Sequence, residues 1–136
     1  MDGKLEGAMG IADASACDAS TMPWEEIHDE DTGKTILRKL LVQDPDTGME
    51  VMIVRYEAGV VTPWHRHSCA HGMYVLKGTL RTHNGTLTPG SFVWFPEGGV
   101  AEHGATATEA VEVVFITNKA FDIHHLAGEE IAALGL

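Results

Sequence analysis

From Trp24 onward, turn-forming dipeptides interrupt the chain every few residues: Asp31-Thr32-Gly33, Asp44-Pro45-Asp46-Thr47-Gly48, Lys77-Gly78, Asn84-Gly85, Pro89-Gly90 and Gly98-Gly99. No apolar stretch between them is long enough for a core helix, and Val, Ile, Thr and aromatic residues crowd the stretches. Such spacing dictates many short antiparallel strands. The text predicts strands at Lys34 to Val42, Met49 to Tyr56, Val60 to His67, His71 to Lys77, Thr79 to His83, Ser91 to Phe95 and Val111 to Thr117. Asn84-Gly85 is the strongest hairpin signal. A short helix is expected only at the end, where Glu129-Glu130-Ile131-Ala132-Ala133-Leu134 follows Gly128. The expectation is an all-β, single-domain jelly-roll barrel over residues 23–120. A flexible acidic arm over 1–22 precedes it and a helical segment over 121–136 follows it.

A chain of 136 residues suffices for one sealed core without disulfides. Cys17 and Cys69 do not resemble a bridging framework, and the first residues carry Asp2, Glu6 and Asp13 rather than a basic segment and an apolar run. A cytoplasmic protein is therefore expected. The formal charge of −11 repels phosphate backbones and anionic lipid, so neither nucleic acid nor membrane is an expected partner.

His65, His67 and His71 place three imidazoles in one short window. Two histidines one residue apart on a strand share a face. Crowded imidazoles would repel when protonated and waste core volume when neutral unless an ion coordinates them. His103 is a candidate fourth ligand from a later strand, whereas His28, His83, His124 and His125 read as ordinary surface or hydrogen-bonded histidines.

These residues carry a resemblance. Gly59, five residues, His65-Arg66-His67, three residues, His71, six residues and Gly78 resemble the first motif of the cupin superfamily, with His71 where that motif has its metal-binding Glu. Gly85 and Pro96-Glu97-Gly98 echo the second motif; His103 falls two residues late, and Ala107 stands in place of the closing Asn. The chain is identified as similar to small single-domain cupins, in particular the histidine-only acetylacetone dioxygenase-like and dihydroxyacetophenone dioxygenase-like members. The resemblance implies a double-stranded β-helix barrel, Fe(II) at His65, His67, His71 and His103, and carbon–carbon bond cleavage by O2.

An all-imidazole set leaves a divalent ion its full charge, favouring anionic oxygen ligands such as a bidentate enolate. Iron could use open positions for oxygenation; Zn, Ni or Mn would serve a redox-neutral isomerase or lyase, and a closed shell would mark a binding module. Parity places Met73 and Val75 beside His71, with Met52, Phe92, Trp94 and Phe115 as further pocket walls and Val54 and Val113 as other candidates. Glu102, next to His103, is the one candidate catalytic carboxylate; Arg66 should face away from the metal, and Cys69 reads as a small buried residue. A small-molecule substrate and a homodimer are expected, since small jelly rolls often bury a sheet face or exchange an N-terminal strand.

Overall fold

The computed structural model describes residues 13–136. Eleven strands follow a single 3-10 turn at Ala19–Thr21: β1 (Glu25–Asp29), β2 (Lys34–Gln43), β3 (Glu50–Tyr56), β4 (Val61–His67), β5 (His71–Lys77), β6 (Leu80–Thr82), β7 (Gly85–Leu87), β8 (Phe92–Phe95), β9 (Val100–Ala105), β10 (Val111–Thr117) and β11 (Ile123–His125). One short helix, α1 (Gly128–Ala133), comes last. None of the described helices is long and apolar enough to cross a membrane. The expected arm over 1–22 lies partly outside the described residues. Of the described part, the turn at Ala19 docks on β2: Lys39 donates to the Ala19 carbonyl at 2.8 Å and lies over the Trp24 ring.

All pairings are antiparallel, in a six-stranded sheet ordered β1-β2-β3-β10-β5-β8 and a five-stranded sheet ordered β11-β4-β9-β6-β7. The inward residues of both sheets meet as a core of Met52, Val54, Met73, Val75, Leu80, Val111 and Val113, as period-two alternation on half-buried strands requires. This is the jelly roll expected from the turn spacing. The seven expected strands all form, to within a residue or two at their ends.

Four strands were not expected, for identifiable reasons. β1 reads Glu-Glu-Ile-His-Asp and sits at a sheet edge with most of its side chains exposed, so it shows no apolar alternation. β9 reads Val-Ala-Glu-His-Gly-Ala, and apart from His103 its buried positions are filled by Ala101, Gly104 and Ala105 rather than by large apolar residues. Small residues are required there, because β9 packs so closely on β4 that a Cβ on Gly104 would collide with the Val60 carbonyl oxygen. β7 and β11 are three residues each. β11 lies within the segment expected to be helical and pairs with β4, aligning His125 with His65.

Two irregularities aim side chains at one end of the barrel. β4 and β9 pair Thr62 with His103 but His65 with Ala101, so β4 carries one extra residue at Pro63-Trp64. This bulge lets Thr62, His65 and His67 all point inward and throws the Trp64 ring outward against His83, with centroids 5.1 Å apart. The Ser68-Cys69-Ala70 turn then carries the chain from one sheet to the other, so His67 and His71 approach from opposite walls.

Gly104→Ala should cost about 3 kcal/mol, because overpacking here displaces backbone rather than a flexible side chain. Thr86→Ala on exposed β7 should stay within about 0.5 kcal/mol of the parent. Urea unfolding of both variants checks the contrast.

Candidate metal centre

His65, His67 and His103 come together in one group, and His71 lies beside His67. His65 and His67 come from β4, His71 opens β5, and His103 enters from β9; all four are at most 3% exposed. Ligand atoms of His65, His67 and His103 lie within 4.8 Å of one another. His67 Nε2 sits 2.9 Å from His65 Nε2 and 2.9 Å from His71 Nε2. The His103 ring centroid is 4.9 Å from that of His65 and 5.8 Å from that of His71.

Protein hydrogen bonding alone does not satisfy this cluster. A neutral imidazole nitrogen has one proton or one lone pair, so His67 Nε2 cannot bond well to two facing nitrogens at once. His65 Nδ1–H donates to the Pro63 carbonyl at 2.7 Å, which turns the Nε2 lone pair toward the cluster. His103 Nδ1 meets the buried Tyr56 hydroxyl at 3.4 Å, and its Nε2 has no partner. A cation resolves the conflict by accepting every inward lone pair. The spacing suits one: donors about 2.0–2.1 Å from a common ion lie about 2.9 Å apart at a right angle and about 3.4 Å apart at a tetrahedral angle. The contacts at 2.9 Å therefore match neighbouring corners of a six-coordinate site.

Burial first, and the neighbouring imidazoles second, keep these rings uncharged. His67 is held down to about 4 and His71 to about 2, with His65 and His103 lowered for the same first reason. The Pro63 carbonyl partly offsets the effect at His65. Aromatic rings seal the site: Phe115 stacks on His71 with centroids 4.4 Å apart, and Phe95 lies 4.9 Å from His71 and 5.3 Å from His103.

A cavity of about 520 Å³ opens onto His65 and His103. Its walls are mostly apolar, with Ile36, Met52, Val54, Phe115, Phe121 and Ile123 contributing, while Asp29, Asp31, Arg38, Glu50 and His125 line its polar part. Of the expected wall residues, Met52, Val54 and Phe115 are there. Met73 and Val75 are fully buried in the core instead. Phe92 and Trp94 correct the expectation outright: register pairs them with Tyr74 and Gly72 on the outer face, and they are 54% and 50% exposed. Val93 and Phe95 turn inward in their place; the all-apolar run Phe-Val-Trp-Phe gave no parity of its own. Glu102 also points away from the cluster, its carboxylate 3.6 Å from Arg81 and its amide bonded to His83, because it alternates with inward Ala101 and His103. It is not placed to touch a substrate. Arg66 faces outward as expected, donating to the Gly98 carbonyl. Cys69 is fully buried, and burial raises its thiol pKa.

The sequence reading missed one pair. His125 Nε2 lies 2.7 Å from Asp29 Oδ2 on the cavity wall, and His125 Nδ1 is buried without a partner. Burial alone would raise the Asp29 carboxyl pKa, yet the Asp31 amide and His125 hold it below the ordinary carboxylate value. No local signal marks this pair, since its members are 96 residues apart and meet only because β1 and β11 rim the same barrel mouth. Tyr56 was likewise unforeseen, as a buried tyrosine looks like any core aromatic.

Two results should follow. His65→Ala combined with His67→Ala should abolish stoichiometric metal uptake, read by elemental analysis, while the barrel stays folded by circular dichroism. In metal-free protein the four histidines titrate lower folded than unfolded, so the unfolded chain binds more protons below about pH 6.5. Stability should therefore be complete above that pH and fall as pH drops, by up to about 1.4 kcal/mol per pH unit for each histidine kept neutral. Urea midpoints at pH 7.5 and 5.5 test this, and the double alanine variant should show a shallower fall.

Comparisons agree with this fold. Solved structures of the same fold include a cupin-like protein from Thermotoga maritima, 24% identical, covering 73% of this chain and 84% of its own with a TM-score of 0.60. A candidate acetylacetone dioxygenase from Methylibium petroleiphilum is 13% identical, covering 88% and 85% with a TM-score of 0.71. The polyketide cyclase RemF from Streptomyces resistomycificus is 14% identical, covering 90% and 94% with a TM-score of 0.66. No curated protein matches the chain. The profile of the ChrR cupin-like domain matches residues 12–122, most of the sequence, and the chain belongs to that family of cupins.

Proposed function

We propose that this chain is a metal-dependent oxygenase that cleaves a carbon–carbon bond of a small dicarbonyl or hydroxyketone. One observation carries the reading: two members of an all-imidazole cluster, His65 and His103, form the floor of a mostly apolar cavity of about 520 Å³, with contacts of 2.9 Å inside the cluster that suit a six-coordinate ion. Four imidazoles would leave two of six positions for substrate oxygens or O2, and the cavity has the volume of a small-molecule site. His65, His67, His71 and His103 would hold the ion. Bound there, it would supply Lewis acidity and, as Fe(II), one-electron chemistry with O2.

The rest falls to the protein. Met52, Val54, Phe115 and Phe121 exclude water from the bound substrate and so strengthen every charge interaction inside. Asp29, Asp31 and Glu50 disfavour a substrate that arrives as an anion, which favours a neutral ketone that ionises only inside. The proton then goes to His125: its Nε2–H is bonded to the Asp29 carboxylate, and its Nδ1 is free to accept. Asp29 fixes that tautomer and stabilises the imidazolium formed.

The same pair would serve a redox-neutral isomerase or cyclase on Zn, Ni or Mn, because enolisation is common to both reactions. O2 separates the two readings. Protein loaded anaerobically with Fe(II) should consume O2 when a β-diketone or hydroxyketone is added, monitored by electrode and by loss of the enolate absorbance. Turnover that is equally fast without O2 would move the assignment to redox-neutral chemistry. Asp29→Asn should lower kcat by about 10²–10⁴-fold while metal content stays unchanged.

A further inference from the structure

On the inner face of β2, Ile36 and Leu40 pack against the core, and Arg38 stands between them at the same parity. Strand alternation calls for a third apolar residue there. Arg38 lines the cavity instead, the only lysine or arginine among the described lining residues. Its Nε donates to Glu25 Oε1 at 3.0 Å across the β1–β2 pair. The side chain is 23% exposed, against 59% for Glu25, which lies outside the cavity lining. An ion pair this open to water contributes little stability, so it does not account for a charge in an apolar row. A guanidinium presents five N–H donors in one plane, and the two terminal Nη groups of Arg38 have no acceptor among the described residues.

The neighbouring wall residues give this fork a context. His125 is aligned with His65 on β4 and tied to Asp29, which marks the metal end of the cavity. On β1, Asp29 pairs with Lys34 and Glu25 pairs with Arg38, so the two polar points are separated by about 13 Å of strand. Ile27 and Ile36, paired with each other, fill the interval. Phe115 and Phe121 also line the cavity, edge to face with centroids 5.3 Å apart. The wall therefore runs from polar to apolar and back to polar.

We propose that Arg38 anchors a distal substrate subsite, and that the substrate is an aryl diketone or aryl hydroxyketone with a neutral oxygen acceptor at the end of the molecule away from the metal. This rests on the ketone-cleaving reading of the same cavity and adds the far end of the molecule to it. The ketone end meets the imidazole floor and His125, the ring lies along Ile27 and Ile36, and the Nη groups donate to the distal oxygen. Charge selects a hydroxyl or carbonyl over a carboxylate. Glu25 already offsets Arg38, and Asp29, Asp31 and Glu50 line the same cavity, so an added anion would meet three carboxylates and one cation that is already paired. A neutral oxygen meets no such repulsion, yet its hydrogen bond from a charged donor is stronger than one between neutral groups.

Calorimetric titration of zinc-loaded protein with phenyl and benzyl β-diketones tests the subsite without turnover. Para-hydroxylated probes should bind about tenfold tighter than their unsubstituted parents, and para-carboxylated probes more weakly than either. Arg38→Met should erase the advantage of the hydroxyl while metal content and affinity for the unsubstituted probes stay the same. Glu25→Gln, at an exposed position, decides the matter if that variant misfolds. Releasing Arg38 from its partner should tighten the para-carboxylated probes severalfold, and unchanged affinity there overturns the subsite. Equal binding of hydroxylated and unsubstituted probes to the parent also overturns it and leaves the diketone reading standing. So does a hydroxyl advantage that survives Arg38→Met. Failure of every diketone to bind removes that reading and the subsite together.

Discussion

Four buried imidazoles packed against one another at one end of the barrel are the constraint from which the rest of this structure follows. Burial keeps His67 and His71 deprotonated far below the ordinary histidine range, yet His67 Nε2 faces two other nitrogens and His103 Nε2 faces none. A buried polar atom left unpaired costs about 1–3 kcal/mol, and here several are gathered in one place. The surrounding architecture maintains this arrangement instead of relieving it. The β4 bulge aims His65 and supplies the Pro63 carbonyl that fixes its tautomer, Tyr56 meets the far side of His103, and Phe95 and Phe115 close over His71. Frustration of this kind is retained where an ion relieves it.

The ligands were legible in the sequence because their geometry is local. His65 and His67 need only strand parity to share a face, and His71 follows within one turn. His103 required the motif resemblance, since β9 hides its strand character behind alanine and glycine. The cavity walls were much less legible. Which face Phe92 and Trp94 occupy is set by register against Tyr74 and Gly72, and neither neighbour announces that register. Asp29 and His125 meet across 96 residues, through two edge strands too short or too polar to be recognised. Long-range closure of the barrel decides such contacts, and sequence periodicity carries no information about it.

The jelly roll also explains how so short a chain holds both a dense core and a sizeable cavity. Met73, Val75, Leu80 and Val113 fill the closed end completely, while the mouth between β1, β3 and β11 stays open above the histidines. Gly104 on β9 lets that strand lie close against β4 at the floor, where His65, His67 and His103 meet within a few ångströms.

The ligand strands and the rim strands are distinct. β4, β5 and β9 carry every imidazole of the cluster, whereas Ile27 and Asp29 of β1, Phe121, and Ile123 and His125 of β11 shape the mouth near the two ends of the described chain. β1 pairs only with β2 and is separate from every ligand strand, whereas β11 pairs with β4. The mouth of such a barrel can drift in shape at β1 and its neighbouring loops while the imidazole floor beneath it stays the same.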